Sequence, residues 1–516
     1  MWPLLQSGAG LAMALAAWLL PRRIARAQTR WRPMLVDAAP MAAGAALLVL
    51  ATGRPLFAGL VLLALGAGFA LADQTMRDTL REPVVFSEAV ELPQVFTHPH
   101  LYLPFAGPGL VIGGAALAVA AAVGLLFLEP AVTVPRPGTA LLCLAVLALT
   151  IAALARRPGL ELAAAALRRL RPSGEPFTDA SALGPFAMLL VHWVLARAER
   201  PGRRAALAMP AALHPAEPAR PLILVQCESF FDARRMAPAL LRDFLPAYDE
   251  ACRSAAMFGR IEVPAWGANT MRAEFGVLSG IPDEALGYDR FNPYYAFARQ
   301  PVPSQVWRLR QAGYRTICLH PFDGRFFRRD LAMPGLGFGR FLDRATLGGS
   351  RVPPYCSDPE LAEHILQVLD AEGPRTLIFA ITMGNHGPWL EAGPPIAPEL
   401  NDLVDGLELP AGGLRRYLDG LRRSDMMLRA LMDGLRERRS RAVLAFYGDH
   451  LPSLGGAFAH FGFDEPHSDY VVWPGDDLPP RRRDLPAHDL ARIILDELLA
   501  EPAAALRPAM LPVDPR

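Results

Sequence analysis

Five long apolar runs near the start of the chain constrain its fold more than any other feature. Each run holds roughly 15–20 residues without a charged side chain, and a helix of about 20 such residues crosses a hydrocarbon core of about 30 Å. No basic residue precedes the first run, so it is expected to be a retained span rather than a cleaved signal peptide. The runs are Leu4–Leu20, Ala38–Thr52, Pro55–Ala72, Gly109–Leu128 and Thr139–Ala155. The sequence therefore predicts an α-helical transmembrane bundle of about five spans over residues 1–157.

The charged residues beside these runs do not predict a single orientation of the spans in the membrane. Arginine-rich segments follow the first run, at 22–32, and the fifth run, at 156–171. The positive-inside rule assigns both segments to the cytoplasm, and five spans would then leave the C-terminal half there too. A sixth apolar stretch, Ala182–Ala196, either crosses outward or, because it is short and contains His192, lies at the interface. Residues 158–220 are expected to form an amphipathic juxtamembrane linker.

Residues 221–500 have the composition of a globular domain in which strands and helices alternate. Short apolar runs predict strands that are buried on both faces, and helical patterns lie between them. This order predicts an α/β domain with a mostly parallel sheet, followed by a loose tail at 501–516. The predicted strands are Pro221–Gln226, Thr316–Leu319, Thr376–Ile381, Ala442–Tyr447 and Tyr470–Trp473. The predicted helices are Val302–Ala312, Pro359–Ala371, Gly413–Arg438 and Ala487–Leu499.

Polar side chains follow four of the predicted strands. Glu228, His320, His386 and the pair Asp449-His450 stand at or just beyond the strand ends. Ligands of parallel sheets bind at the carboxyl edge, so these side chains are expected to converge. Carboxylate oxygens with a histidine nitrogen suit Mn²⁺, Mg²⁺ or Zn²⁺. Each residue alone is more often a helix cap or a loop residue, and only their coincidence at one edge of the sheet indicates a metal site.

Composition excludes several classes of function. All 52 basic residues are arginines, which rules out Schiff bases, pyridoxal phosphate enzymes, the Walker A loop and the kinase strand lysine. The formal net charge of +1 argues against a nucleic-acid binder, which usually has a strong basic excess.

Five spaced motifs in the second half resemble the lipoteichoic acid synthase family, within the alkaline phosphatase and sulfatase superfamily. They occur in the order that this family has, and the five apolar runs before them also fit it. The motifs lie in Leu224–Phe230, Asn269–Phe275, His320–Arg329, Asn385–Pro388 and Tyr447–Pro452. The resemblance implies an alkaline phosphatase/sulfatase-like domain after the membrane bundle, and a phosphotransferase activity.

The resemblance also implies roles for particular residues. Thr270 is implied to be the nucleophile, and His386 to contact the phosphate or protonate the leaving group. One divalent metal, usually Mn²⁺ or Mg²⁺, is implied to be held by Glu228, Thr270, Asp449 and His450. The implied substrate-binding positions are His320, Phe327, Arg329 and His386. Phe327 departs from the family, in which tryptophan is common, and Glu274 is interpreted as helix support rather than a ligand.

The implied reaction moves the phosphoglycerol headgroup of phosphatidylglycerol to an envelope glycan or polymer. The catalytic domain is then expected outside the bacterial inner membrane, in the periplasm. Phosphoethanolamine transfer and phosphodiester hydrolysis stay open, as does a non-catalytic scaffold or glycan-binding protein. Sulfate ester hydrolysis is disfavoured because the segment at Thr270–Glu274 lacks the Cys/Ser-x-Pro-x-Arg motif. Five cysteines are present, and their pairing is not decided by the sequence.

Overall fold

The computed structural model describes residues 1–238, 242–298, 300–347, 356–390, 396, 398–400, 411–474 and 479–501. It divides into two compact units. The first comprises residues 1–206 together with 287–291, and the second comprises 207–286 and 292–516. The predicted tail at 501–516 lies outside the described residues except for Glu501.

Unit 1 is entirely helical among its described residues. Its helices are α1 Trp2–Ile24, α2 Trp31–Thr52, α3 Pro55–Leu80, α4 Leu92–Thr97, α5 Pro99–Ala106, α6 Pro108–Leu128, α7 Pro137–Leu154, α8 Arg157–Arg168, α9 Pro176–Leu183 and α10 Pro185–Ala206. Five of them, α1, α2, α3, α6 and α7, are long and apolar enough to cross a membrane. These five correspond to the five apolar runs, which confirms the predicted membrane bundle.

Glycine allows α1 and α3 to pack with their backbones almost in contact. A Cβ on Gly59 would lie 2.4 Å from the carbonyl oxygen of Gly10, and one on Gly66 would lie 2.4 Å from that of Ala17. Small residues bring membrane helices together in this way because lipid supplies little hydrophobic driving force. A larger residue at Gly59 or Gly66 would therefore separate these two helices.

Hydrogen bonds identify the two ends of the bundle. At the first end, the α1–α2 turn meets α9 and α10, where Gln28 N donates to Ser181 O over 2.8 Å and Ala187 N to Asp37 Oδ1 over 3.0 Å. At the second end, the α2–α3 turn meets the α6–α7 turn, where Val132 N donates to Gly53 O over 2.8 Å. The spans alternate direction, so the chain leaves α7 at the first end.

The stretch Ala182–Ala196 is divided between two helices in the described structure. Gly184 ends α9, and Pro185 begins α10, which falls outside the set of helices apolar enough to cross a membrane. His192 lies in α10 with no exposed surface, and its Nε2 is 2.7 Å from Asp179 Oδ2. The buried pair of His192 and Asp179 stabilises the packing of this stretch within unit 1.

Asp179→Asn is expected to destabilise unit 1 at neutral pH. The carboxylate accepts hydrogen bonds from Ser173 N and Oγ and from Gly174 N, besides facing His192. Burial raises the pKa of Asp179, but the bonds from His192, Ser173 and Gly174 outweigh it, so the pKa is lowered. The stabilisation is thus present above the ordinary aspartate pKa of about 3.9 and is lost as the pH falls through the lowered value.

Thermal unfolding in detergent across pH measures this effect. At pH 7 the substitution should cost about 1–3 kcal/mol, the range for a lost buried charged acceptor, and the difference should shrink below about pH 4. Asp243→Asn is the control because Asp243 is exposed. Equal melting temperatures for the wild type and Asp179→Asn at pH 7 would contradict this account.

Unit 2 contains one mixed, mostly parallel sheet. The strands are β1 Leu222–Cys227, β2 Met257–Glu262, β3 Arg315–His320, β4 Arg340–Asp343, β5 Thr376–Ile381, β6 Val443–Gly448, β7 His467–Trp473, β8 Arg481–Arg482 and β9 Leu485–Pro486. Their order is β4-β3-β5-β1-β6-β7-β2-β8, and β9 also pairs with β2. Strand β7 runs antiparallel to β6 and β2, whereas the pairings from β4 to β6 are all parallel.

Helices cover both faces of this sheet. They are α11 Pro246–Arg253, α12 Thr270–Ser279, α13 Asp283–Leu286, α14 Pro293–Ala296, α15 Gln305–Gln311, α16 Arg329–Leu336, α17 Arg344–Leu347, α18 Asp358–Glu372, α19 Ala411–Glu437, α20 Gly455–Phe461 and α21 Ala487–Ile494. Alternate β1 residues enter different cores: Ile223 and Val225 pack on the side of α18 and α19, and Leu222 and Leu224 on the side of α12 and α21. The predicted α/β domain is confirmed, and the sequence missed β2, β4, β8 and β9.

The five cysteines are all unpaired. Cys227 and Cys318 lie on β1 and β3 with no exposed surface, and Cys356 is also buried. Burial raises the pKa of the Cys227 and Cys318 thiols well above the usual value. They therefore act as small apolar core residues, as free buried cysteines commonly do.

Candidate active site

The parallel register places four strand ends side by side. Cys227 on β1 pairs with Gly448 on β6, Gln226 pairs with Ile381 on β5, and Leu319 on β3 pairs with Ala380 on β5. The residues that follow these positions must then emerge together at the carboxyl edge of the sheet. The sequence prediction of convergence at this edge rests on the same geometry.

Glu228, Asp449 and His450 form a buried cluster at this edge. One oxygen of each carboxylate and one ring nitrogen of the histidine all lie within 4.8 Å of one another. His450 Nε2 is 3.3 Å from Glu228 Oε1 and 3.6 Å from Asp449 Oδ2. Both distances exceed the usual range for an N–H···O hydrogen bond, so these atoms face each other without bonding.

The donor set of this cluster fits a divalent cation. His450 Nδ1 is 3.0 Å from the carbonyl oxygen of Leu451, which can only accept, so Nδ1 carries a proton and Nε2 is the ring nitrogen available to a metal. Within the described part of the chain, His450 Nε2 and Asp449 Oδ2 are buried without a hydrogen-bond partner. Buried polar atoms are otherwise nearly always bonded, and two such atoms facing Glu228 are what a metal site requires.

The cluster also concentrates negative charge away from water. Burial and the charge of Glu228 raise the pKa of Asp449 to about 7, although His450 opposes them. For Glu228, burial acts to raise the pKa, but His386 and His450 outweigh it and the pKa falls to about 2. Two carboxyl groups whose pKa values shift in opposite directions therefore lie in one small buried volume. A bound cation would neutralise their charge.

Ser229 donates hydrogen bonds to the carboxylates of both Asp449 and Glu228, and no sequence pattern predicts this role. Its backbone N–H donates to Asp449 Oδ1 over 2.9 Å, and its hydroxyl donates to Glu228 Oε1 over 3.0 Å. The residue has a φ of +54°, an uncommon conformation for serine, which allows both bonds from one position. Thr382 fixes the backbone of Glu228, because its hydroxyl accepts a hydrogen bond from Glu228 N over 2.9 Å.

Thr270 is the first residue of α12 and is 5% exposed. The loop before it is fastened to the segment that follows His450, because Gly267 N donates to Leu451 O over 2.9 Å and Ser453 Oγ to Gly267 O over 3.0 Å. Asn269 precedes the helix with a φ of +63°. The hydroxyl of Thr270 is thus carried at a helix N-terminus, where backbone N–H groups favour negative charge.

Arg329 lies at the centre of a buried polar network. Its guanidinium donates to Glu274 from Nε over 3.1 Å and from Nη2 over 2.8 Å. Glu274 also accepts from Tyr294 Oη over 2.5 Å and from Gln226 Nε2 over 3.2 Å. Glu274 is therefore the counter-ion of Arg329 besides supporting α12, and Tyr294 and Gln226 have no signal in the sequence that would reveal this role.

Other predicted substrate contacts lie around this network. His320 Nε2 is 3.3 Å from Arg329 Nη1, and burial, Arg329 and His386 lower the pKa of His320 well below its usual value. Phe327 has a φ of +53°, and its ring lies 5.4 Å from the Arg329 guanidinium carbon. His386 is half-buried, with Nδ1 2.5 Å from Gly387 O, which leaves Nε2 for proton exchange. Substrate binding by these residues stays a prediction.

Glu274→Gln is expected to destabilise unit 2 strongly. The substitution leaves Arg329 as a buried cation with 1% exposure and no counter-ion, which typically costs about 3–5 kcal/mol. Chemical unfolding of the purified protein measures the loss. The double variant Glu274→Leu with Arg329→Met should recover much of it, because well-packed apolar side chains replace a buried ion pair at little cost. Wild-type stability of Glu274→Gln would show that Arg329 does not depend on this carboxylate.

The sequence matches the family described as Sulfatase over residues 222–497, which is more than half of the chain. The chain belongs to the sulfatase family. The predicted membership of the alkaline phosphatase and sulfatase superfamily is thereby confirmed. The matched region of this sulfatase-family chain contains the metal-type cluster, Thr270 and the Arg329 network.

Two curated relatives come from Rhizobium meliloti. One, named capsular polysaccharide biosynthesis protein RkpI, is 35% identical over 261 residues, covering 49% of this chain and 45% of the relative. The other, named putative cyclic beta-1,2-glucan modification protein, is 29% identical over 244 residues, covering 47% of this chain and 37% of the relative. The chain thus spans less than half the length of either relative.

The solved structure of the integral membrane protein lipooligosaccharide phosphoethanolamine transferase A (EptA) from Neisseria meningitidis is similar over the whole chain. It covers 96% of this chain and 94% of its own, with a TM-score of 0.51 and 13% identity. This likeness concerns the fold alone. It confirms an N-terminal helical bundle followed by a sulfatase-type domain in one chain.

Proposed function

We propose that this sulfatase-family chain is a membrane-anchored, metal-dependent transferase. It moves the phosphoglycerol headgroup of phosphatidylglycerol to an envelope glycan or polymer through a phosphothreonine intermediate on Thr270. The observation that carries the proposal is the buried cluster of Glu228, Asp449 and His450, which is followed by a segment that hydrogen-bonds the loop before Thr270. The catalytic domain in this proposal is residues 221–500, after a membrane domain at 1–157 and a linker at 158–220.

Glu228, Asp449 and His450, with Thr270, would hold one divalent cation, Mn²⁺ or Mg²⁺, with Zn²⁺ as the alternative. When bound, it would favour the ionised threonine hydroxyl and offset charge on the phosphoryl oxygens. Ser229 and the Nδ1 bond of His450 orient the three other ligands, so little reorganisation is needed.

The chain's own residues account for the two displacements. In the first, a bond forms between Thr270 Oγ1 and phosphorus as the bond from phosphorus to the diacylglycerol oxygen breaks. The threonine proton passes to solvent, and diacylglycerol leaves as an alcohol after taking a proton, which we assign to His386. In the second, an acceptor hydroxyl gives its proton to His386 and displaces Thr270, whose oxygen regains a proton from solvent. We also assign contact with the phosphate oxygens to Arg329 and His320, and a permanently charged guanidinium suits this task.

Two observations support a glycan acceptor and a lipid donor. The names of the two Rhizobium relatives refer to a capsular polysaccharide and a cyclic glucan. Five candidate spans in the same chain would keep the site beside its lipid donor. Transfer to an envelope glycan requires an inner-membrane protein whose catalytic domain faces the periplasm, and we propose this orientation.

Phosphoethanolamine transfer is the second candidate, because the EptA structure has the same two-part fold over almost the whole chain. Separate incubations with phosphatidylglycerol and phosphatidylethanolamine, each labelled in the acyl chains, distinguish the two. We expect diacylglycerol release from phosphatidylglycerol only. Release from phosphatidylethanolamine only would replace the donor, and release from neither would favour a non-catalytic scaffold or glycan-binding protein.

A further inference from the structure

The first end of the membrane bundle has an unpaired arginine surface. It consists of exposed arginines in the α1–α2 turn and at the end of α8. They are Arg26, Arg30, Arg32, Arg168, Arg169 and Arg171. In the described part of the chain none of them pairs with a carboxylate. Exposed arginines of unit 2 are commonly paired; Arg438, for example, bonds Asp370 over 2.8 Å.

Both arginine segments are attached to α10, so they belong to one surface. The α1–α2 turn bonds α9 through Gln28, and its Ala25 shares a small buried core with Met188 of α10. Helix α8 packs on α10 through Leu160 and Ala164 in a shared buried core. Most of the exposed arginines lie at this end: at the second end the described residues include Arg54, which donates to the carbonyl oxygen of Glu129 over 2.8 Å, and the exposed Arg136.

The surface adjoins the ends of two candidate membrane spans. Helix α8 begins at Arg157, three residues after the fifth span ends at Leu154, and α1 ends at Ile24, just before Arg26. Apolar side chains accompany the arginines: Trp31 is 66% exposed, and Leu162 is 70% exposed. Tryptophan and arginine beside exposed leucine are the composition of a helix end that rests in the membrane interface.

We propose that this arginine surface binds anionic phospholipid headgroups in the adjoining leaflet. Arginine clusters at a membrane surface attract anionic lipids, and each charge contributes to the attraction. An arginine excess usually marks the cytoplasmic side. If unit 2 is exported, as proposed above, this end is exported with it, and orientation does not account for the arginines.

The test measures lipid association without turnover. Purified full-length protein is reconstituted in phosphatidylcholine bilayers that contain spin-labelled phosphatidylserine or spin-labelled phosphatidylcholine. Electron spin resonance gives the relative association of the two lipids. Phosphatidylserine is anionic and is not the proposed donor, so the result does not depend on the proposed reaction. We expect the wild type to prefer phosphatidylserine by about threefold or more, and the preference to weaken at high salt.

The variant Arg30→Gln, Arg168→Gln, Arg169→Gln should lose most of this preference. The matched control, Arg242→Gln, Arg253→Gln, Arg441→Gln, removes the same charge from exposed positions of unit 2 and should keep it. Equal association of both lipids with the wild type, or an unchanged preference in the first variant, would overturn the proposal. Thr270→Ala should retain the preference, so a failed transfer reaction and a failed lipid surface can be told apart.

Discussion

Replacing Thr270 with alanine is expected to lower headgroup transfer by about 10³-fold or more, since removal of a nucleophile costs at least this much in comparable enzymes. The side chain is almost fully buried at the start of α12, and alanine leaves no hydroxyl there to attack phosphorus. Thr270→Ser should retain measurable transfer, because serine keeps the hydroxyl. Release of labelled diacylglycerol from phosphatidylglycerol measures both variants.

The control for this experiment is Thr376→Ala. Thr376 is also fully buried, but it begins β5 at the amino end of the sheet, and its hydroxyl donates to Gly373 O. It should change stability slightly and leave transfer intact. Full transfer by Thr270→Ala with a wild-type melting temperature would exclude the proposed covalent mechanism.

Removal of the metal is expected to lower headgroup transfer by a similar factor. Chelation should abolish transfer, and Mn²⁺ or Mg²⁺ should restore it. Independently of activity, Mn²⁺ should raise the melting temperature of the wild type, because a ligand at 100 times its Kd stabilises the folded state by about 2.7 kcal/mol. Asp449→Asn should weaken Mn²⁺ binding by about 10²-fold or more, since it removes a charged ligand from a buried set of three.

Asp469→Asn separates loss of a ligand from loss of a buried carboxylate. Asp469 is 6% exposed and pairs with Arg235 over 3.2 Å, outside the cluster. The variant should melt at a lower temperature than the wild type yet show the same increase with Mn²⁺. Wild-type affinity for Mn²⁺ in Asp449→Asn, measured by calorimetry, would contradict the assignment of the metal site.

The sequence predicted those parts of the fold whose physics is local. A membrane span needs a long apolar run, and a strand covered on both faces needs a short one, so the bundle and the central strands could be recognised. Strand β2 contains Arg260 and ends in Glu262, and β4 begins with Arg340. Such half-exposed strands leave a weaker pattern, and the direction of β7 leaves none.

The candidate site likewise contains residues that the sequence predicts and residues that it does not. Glu228, Asp449 and His450 follow strands directly, so the rule that parallel strands end at one edge predicts that they lie close together. Thr270 follows a loop and was identified by resemblance alone. The pairing of Glu274 with Arg329 joins residues 55 positions apart, and only the packed fold reveals that both are buried.

Mass spectrometry of Thr270 after exposure to phosphatidylglycerol tests the central claim most directly. The protein is incubated with its metal and the lipid but without an acceptor, then digested and sequenced. We predict a phosphoglycerol adduct on Thr270 that is absent from Thr270→Ala. An unmodified Thr270 beside continued diacylglycerol release, or an adduct on a different residue, would contradict the account.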